Sequence, residues 1–353
     1  MTVSHALNGE RGVRSETLAR IESAVAALGY TPNNAAKALA GYRHFPRIAF
    51  LFDGASTALL AEMVGTGLEE AQIANALLLF IKVGAGDDPV LTAKLVVDRE
   101  VEGVILPPPL CDDARLRLIL LKAGLRVVAI GCWDDDPTVS TIGIDDRSAA
   151  FEAAEYLIGL GHRRIGLILG NPRRQSSERR RLGFEAGLEA HGVVPDRALQ
   201  WEGRYNFESA IAAAEQALNM RPRVTALFVS NVQMAEAAIS VARGRGINVP
   251  RALTVFGFDD SEVVLTMVPQ LTTVSQPIAK MVREGVRQLA AELYAVRRQR
   301  PPTIKKLRLD HAFAFRESDA PPEDRYSRSN GRAAQQVTLN TGFNGKETRI
   351  YAG

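Results

Sequence analysis

Apolar residues recur along this chain in two rhythms. Near the N-terminus the spacing is helical: Leu18, Ile21, Val25 and Leu28 fall on one helical face, Ser15 suits an N-cap, Glu16 the positive end of the dipole and Gly29 a C-cap. A helix is therefore expected over residues 15–29, stopped by Tyr30, Thr31 and Pro32. A second, alanine-rich helical stretch covers residues 33–39 and ends at Gly41. It is too short to hold itself in water, where isolated helices below roughly 12 residues are marginal.

From residue 47 the rhythm changes to short β-branched or leucine-rich runs. Residues 47–52, 76–82, 103–106 and 126–130 read as strands, alternating with helical stretches at 59–73, 89–99 and 111–123. The alternation restarts with strands at 164–169, 226–229 and 253–258 and helices at 179–191, 207–219 and 232–245. Near-continuous apolar strands separated by helices predict parallel sheets covered on both faces. The fold class is thus α/β, with two doubly wound parallel-sheet lobes behind a small all-α head. Such sheets take their ligands beyond the carboxyl ends of the strands, and the cleft between two lobes is the natural place. A helix at 277–294 and a strand pair made of 303–309 and 312–315 complete the body. Residues 317–353, rich in Ser, Asn, Gly and Arg and poor in apolar residues, are expected to form a disordered tail without the heptads of an assembly helix.

Composition narrows the function. With 353 residues and 46% hydrophobic content the chain can fill two to three domain cores. Its longest apolar runs, such as 76–81, fall far short of the roughly 20 residues of a membrane span, and no charged-then-apolar leader follows Met1, so a cytoplasmic location without a membrane partner is expected. The net charge is only +3, but residues 1–47 carry six Arg or Lys against three Glu. A basic head on a nearly neutral body fits a protein that touches phosphates at one end. Cys111 and Cys132, the two cysteines, lack the spacing and histidine company of a zinc site and are expected to be structural thiols, with no metal or cofactor. His5, His44, His162, His191 and His311 stand in unrelated contexts, and no G-x-S-x-G, Walker or H-E-x-x-H pattern occurs, so no enzyme is expected.

Five separated motifs sharpen this picture: TVSHALN at 2–8, ALGYTPN at 27–33 with ALAG at 38–41, LGHRRIGLI at 160–168, VFGFDD at 255–260 and LTTVSQP at 271–277. In this order they resemble the lactose-repressor/galactose-repressor family of bacterial regulators, over nearly the whole chain to about Phe315. The resemblance implies a ligand-responsive DNA-binding transcription regulator, read as a repressor, that acts as a homodimer on operator DNA. It divides the chain into a head (1–32), a hinge helix and linker (33–46), an effector-binding and dimerisation body (47–316) and the tail (317–353). An alternative is a stand-alone solute-binding protein without a competent DNA head.

Residues 2–8 match the family's recognition helix, with Thr2, Ser4 and His5 toward the groove and Asn8 at the following turn. The helix that precedes it in the family has no counterpart here. A truncated head with weak or impaired operator binding is therefore expected, whether from a start placed too far downstream or from a real truncation. Residues 33–40, beginning at Asn33, match the hinge helix, and Leu39 corresponds to the leucine that wedges between base steps. For the effector the resemblance implies Asp53, Leu59 and Leu60 from the first strand–helix connection, Asp146 after a crossover, Arg180 opening a helix at 180–190, and Tyr205, Asn231, Asp259 and Gln276. This set fits a polyhydroxylated small molecule, a sugar or sugar derivative, with an acid among the alternatives. It departs from the family in two places: Val232 follows Asn231 where sugar-binding members have Asn-Asp, and Leu59 and Leu60 stand where purine-responsive members have aromatic residues. Effector identity is therefore not transferable from a relative.

Overall fold

The computed structural model describes residues 15–27, 45–53, 57–84, 88–133 and 136–323. Thr2, Ser4, His5, Asn8, Asn33 and Leu39 lie outside the described residues, as do the hinge segment and the chain beyond 323. The first periodic stretch is helical, α1 (Ser15–Ala27).

The body then alternates strand and helix. The first lobe runs through β1 (Arg47–Phe52), α2 (Thr57–Ile73), β2 (Leu77–Lys82), α3 (Pro89–Val97), β3 (Gly103–Leu106), α4 (Ala114–Lys122), β4 (Arg126–Ile130) and β5 (Ser140–Gly143). The chain crosses into the second lobe, α5 (Asp146–Leu160), β6 (Ile165–Leu169), α6 (Gln175–Ala190), β7 (Gln200–Glu202), α7 (Phe207–Asn219), β8 (Ala226–Val229), α8 (Val232–Gly244), β9 (Thr254–Phe258), α9 (Glu262–Thr266) and β10 (Thr272–Ser275). It returns through α10 (Ile278–Arg297) and β11 (Lys306–Arg308), then crosses a last time into β12 (Ala312–Ala314).

Each lobe holds a six-stranded sheet, ordered β11-β5-β4-β3-β1-β2 in the first and β12-β10-β9-β8-β6-β7 in the second. Every pairing is parallel except that of β10 with β12. Strands covered on both faces have no solvent side, which is why β3 (GVIL) and β8 (ALFV) are buried at every position. Helix starts carry side-chain caps: Asp88, Asp113, Asp145, Asn206 and Asn231 each accept from a first-turn N–H.

Helix α10 belongs to the first lobe. Its buried Glu292 accepts from Arg126 at 2.7 Å, from Ser140 Oγ at 2.5 Å and from Gln288 at 3.0 Å, tying α10 to β4 and β5. In the second lobe α5 and α6 touch nearly backbone to backbone. A Cβ at Gly183 would overlap the Arg147 carbonyl oxygen, and one at Gly187 would lie 2.7 Å from that of Phe151. Among the described residues no helix is long and apolar enough to cross a membrane.

Three expectations are corrected. The segments read as a strand pair at 303–309 and 312–315 do not pair with each other: β11 extends the first sheet beside β5 and β12 the second beside β10, giving three lobe crossings. The body does not end at 316. Ser318 is fully buried, its Oγ donating to the Val255 carbonyl at 2.6 Å and accepting from the Thr272 N–H at 2.8 Å. Asp319 accepts from Tyr156, and the Ala320 carbonyl accepts from His162 Nε2 at 2.9 Å. These polar residues are ordered because their backbone and hydroxyls are satisfied by the edge of the second lobe, which composition does not register. Finally, α6 begins at Gln175, so Arg180 sits in its second turn rather than opening it.

Candidate functional site

The carboxyl ends of the second lobe's strands converge on Arg180. Its guanidinium is buried, with Nε donating to Asp146 Oδ1 at 2.7 Å, Nη1 donating to the Ser230 carbonyl at 2.6 Å and the carbon centre 3.5 Å from the Phe258 ring centroid. The pair is ionised. Burial works against the Arg180 charge, but Asp146, Tyr205 and Asp259 outweigh it and hold the guanidinium above its ordinary range. Burial pushes the Asp146 carboxyl up while Arg180 pulls it back. A cation fixed by a carboxylate, a carbonyl and an aromatic face is rigid, and it has N–H groups in excess of those partners.

Around this centre, Asp259 follows β9 with φ of 72°, in the left-handed region. Its carboxylate accepts from Gln276 Nε2, just after β10, at 2.5 Å. Tyr205 lies in the β7–α7 connection with φ of 62° and lays its ring so close against Gly170 that a Cβ there would overlap it. Its hydroxyl is 3.4 Å from Ser176 Oγ. Burial pushes the Tyr205 phenol up, with Arg180 opposing, so it is a neutral donor. Asn231 caps α8, its side-chain oxygen accepting from the Met234 N–H at 2.9 Å.

The expected first-lobe residues are Asp53, Leu59 and Leu60. Asp53 follows β1, half-buried, its carboxyl pushed up by burial and held back by the charge of Arg174. Leu59 packs against the core the lobes share, and Leu60 is half-buried beside it on α2. Two arginines of α6 and its start reach across the cleft: Arg174 Nη1 donates to the Pro109 carbonyl at 2.6 Å and Arg179 Nη2 to that of Trp133 at 3.0 Å. Arg308 on β11 pairs with Asp145 at 2.8 Å over the Trp133 ring. A separate cavity of about 660 Å3 opens between α2 and α9, lined by Glu62, Asp260, Glu262 and Arg316, and shares no residue with the Arg180 cluster.

The structure thus brings Asp146, Arg180, Tyr205, Asp259 and Gln276 into one network, with Asn231 on the next strand end and Asp53, Leu59 and Leu60 on the opposite lobe. Sequence reasoning missed Ser176, Phe258 and Arg174. Phe258 was within reach, being the residue before Asp259 in VFGFDD; Arg174 and Ser176 carry no local signal, because their role comes from where α6 starts.

Comparison with known proteins assigns this architecture. Residues 1–33 match the family described as bacterial regulatory proteins, lacI family, and residues 154–318 match the periplasmic binding protein-like domain. A curated relative, the probable HTH-type transcriptional repressor ExuR of Bacillus subtilis, is 30% identical over 291 residues, spanning 82% of this chain and 86% of that one. Among solved structures, the transcriptional regulator CelR–cellobiose complex superposes with a TM-score of 0.70 at 28% identity, covering 90% of this chain and 95% of that one. The lac repressor dimer bound to operator and the anti-inducer ONPF superposes with a TM-score of 0.74 at 23% identity, covering 90% and 94%, and shares the fold. The chain belongs to the LacI family of DNA-binding transcription regulators.

Proposed function

We propose that this chain is a repressor whose affinity for operator DNA is set by a neutral polyhydroxylated small molecule, a sugar or sugar derivative, held between the lobes. The observation that carries this reading is the Arg180 network at the strand ends. It offers fixed donors from Arg180, Gln276 and Tyr205 and acceptors from Asp146 and Asp259, the mixed pattern that hydroxyl groups satisfy as both donors and acceptors. Charge does not oppose a neutral ligand: Asp53, Asp112, Asp146 and Asp259 are balanced around the cleft by Arg117, Arg174, Arg179 and Arg180. The cellobiose of the CelR complex is a neutral sugar of that chemistry.

The working unit is a homodimer that sets two heads on a pseudo-palindromic site, as in the lac repressor dimer–operator complex. Residues Thr2, Ser4, His5 and Asn8 contact DNA, and Asn33 to Leu39 supply the hinge and its wedge. Ligand binding changes lobe closure and with it the spacing of the hinges, a coupling of roughly 1–3 kcal/mol. The test is a thermal-shift screen of the full chain against neutral sugars and sugar acids, followed by gel shifts on the DNA flanking its own gene. At least one neutral sugar should raise the melting temperature, lose that effect in Arg180→Lys, and change operator retention. Stabilisation by sugar acids alone, or by a sugar that Arg180→Lys binds equally well, counts against the reading.

A further inference from the structure

We propose that Cys111, Asp112 and Cys132 form a thiolate–carboxylate site for one divalent cation of the zinc class. The two cysteines stand on neighbouring strand ends. Cys111 lies in the 3-10 turn Leu110–Asp112 that follows β3, and Cys132 follows β4, which pairs in parallel with β3 through Leu106 and Ala129. This pairing brings together thiols whose sequence spacing carries no zinc signature. The two sulfurs and a carboxylate oxygen of Asp112 all lie within 4.8 Å of one another. Around a tetrahedral ion with Zn–S of about 2.3 Å and Zn–O of about 2.1 Å, neighbouring ligand atoms are roughly 3.5–3.8 Å apart. The observed upper bound exceeds these separations by roughly 1 Å.

Two features of the surroundings point to a cation. Asp112 Oδ1 is buried and has no hydrogen-bond partner among the described residues, an arrangement that costs stability unless something electropositive meets it. Two thiolates and one carboxylate around a divalent ion leave a single negative charge, and Arg117, 5% exposed and donating to the Cys111 carbonyl, stands beside the site to balance it. Asp112 also senses Arg174, Asp146, Arg117 and Arg180, and the fourth position of a tetrahedral ion would be filled by an oxygen ligand. On binding, the two thiol protons leave to solvent and two metal–sulfur bonds form. The full burial of Cys111 and the 3% exposure of Cys132 disfavour the rival use of such a pair, oxidation to a disulfide, because an oxidant has no access to either sulfur.

The site is independent of the effector reading and is tested on the full chain, stripped of metal and held in a non-chelating reductant, by titration with Co2+. Because Cys111 and Cys132 are the two cysteines of the whole sequence, a sulfur-to-cobalt charge-transfer band has no other source within the chain. The expected result is that band, together with the intense visible absorption of tetrahedral cobalt, saturating at one ion per chain and bleached by Zn2+. Cys111→Ser with Cys132→Ser should abolish both, with near-ultraviolet circular dichroism confirming the fold. Asp112→Asn should keep the thiolate band but weaken cobalt affinity by at least about tenfold, and this variant carries the test if the double variant does not fold. A spectrum of hydrated octahedral cobalt with the reduced protein, an undiminished band in the folded double variant, or a disulfide in the native chain as isolated under reductant would overturn the proposal.

Discussion

The side chain of His162 shows how one residue of a family motif can be spent on architecture. Both ring nitrogens are engaged, Nδ1 with Thr225 Oγ1 at 2.9 Å and Nε2 with the Ala320 carbonyl at 2.9 Å. A carbonyl only accepts, so Nε2 carries a proton, while the threonine hydroxyl, able to donate or accept, fits Nδ1 in either protonation state; burial is what disfavours the charged ring. Burial pushes the ring down to about 4, with the charge of Arg163 adding to it and the Ala320 carbonyl opposing. A histidine depressed from 6.5 binds its proton more readily in the unfolded chain, so its contribution to stability is present above pH 6.5 and is lost as pH falls toward 4. The loss amounts to about 3 kcal/mol across that window. Urea unfolding between pH 7 and pH 4 should show it, and His162→Gln, which keeps a donor and an acceptor but does not titrate, should flatten this part of the profile. An unchanged slope in the variant would mean the imidazole is not the titrating group.

At the scale of elements, the second lobe depends on how closely α5 and α6 approach. Gly183 faces the Arg147 carbonyl so tightly that an added Cβ would overlap its oxygen. Alanine is the better helix former by about 1 kcal/mol, but here the backbone on the other side cannot yield as a side chain can. Gly183→Ala should therefore destabilise the second lobe by about 1–3 kcal/mol, seen as a lower urea midpoint at unchanged slope; equal or greater stability would show that the helices can separate. The same contact explains what the sequence concealed. The strands of continuous apolar residues, β1, β3, β4, β6, β8 and β9, were legible because burial on both faces demands such runs. Helix α5 was not, because its Ala149, Ala150, Ala153 and Ala154 are buried against α6 and the sheet and leave no clear polar–apolar stripe. Strands β5 and β10 are short and rich in Ser and Thr, and Ser140 and Thr272 find their partners in Glu292, Ser318 and Asp319 from elements remote in sequence. The destinations of β11 and β12 were illegible for the same reason: a segment of three residues pairs according to which sheet edge is vacant, not according to its own pattern. At the site, residues inside motif strings such as VFGFDD and LTTVSQP could be named in advance. Arg174, Ser176 and the Cys111–Cys132 pair could not, since only the parallel sheet and the start of α6 bring them to the cleft.

For the whole molecule, the question is what holds the two lobes at their present separation. Three chain crossings join them, between β5 and α5, between β10 and α10 and between β11 and β12, and crossings alone permit a hinge. Over the cleft the lobes are bridged by Arg174 to the Pro109 carbonyl and Arg179 to the Trp133 carbonyl. Both arginines come from α6 or the residue preceding it, the helix that carries Arg180, so under the proposed function lobe closure would act on the Arg180 site directly. Hydrogen bonds to a charged group contribute about 1.5–3 kcal/mol each, and these two are half-buried, so the lower end applies. Removing both in Arg174→Ala/Arg179→Ala should shift the unliganded chain toward an open form and raise its radius of gyration in small-angle scattering. The affinity for whichever sugar stabilises the native protein should then fall by about tenfold or more, because binding must first repay closure. The Asp146–Arg180 pair lies wholly within the second lobe and is untouched, so the thermal stability of that lobe should hold. If scattering and affinity both match the native chain, the bridges follow closure rather than maintain it, and the hinge segments themselves must set the angle between the lobes.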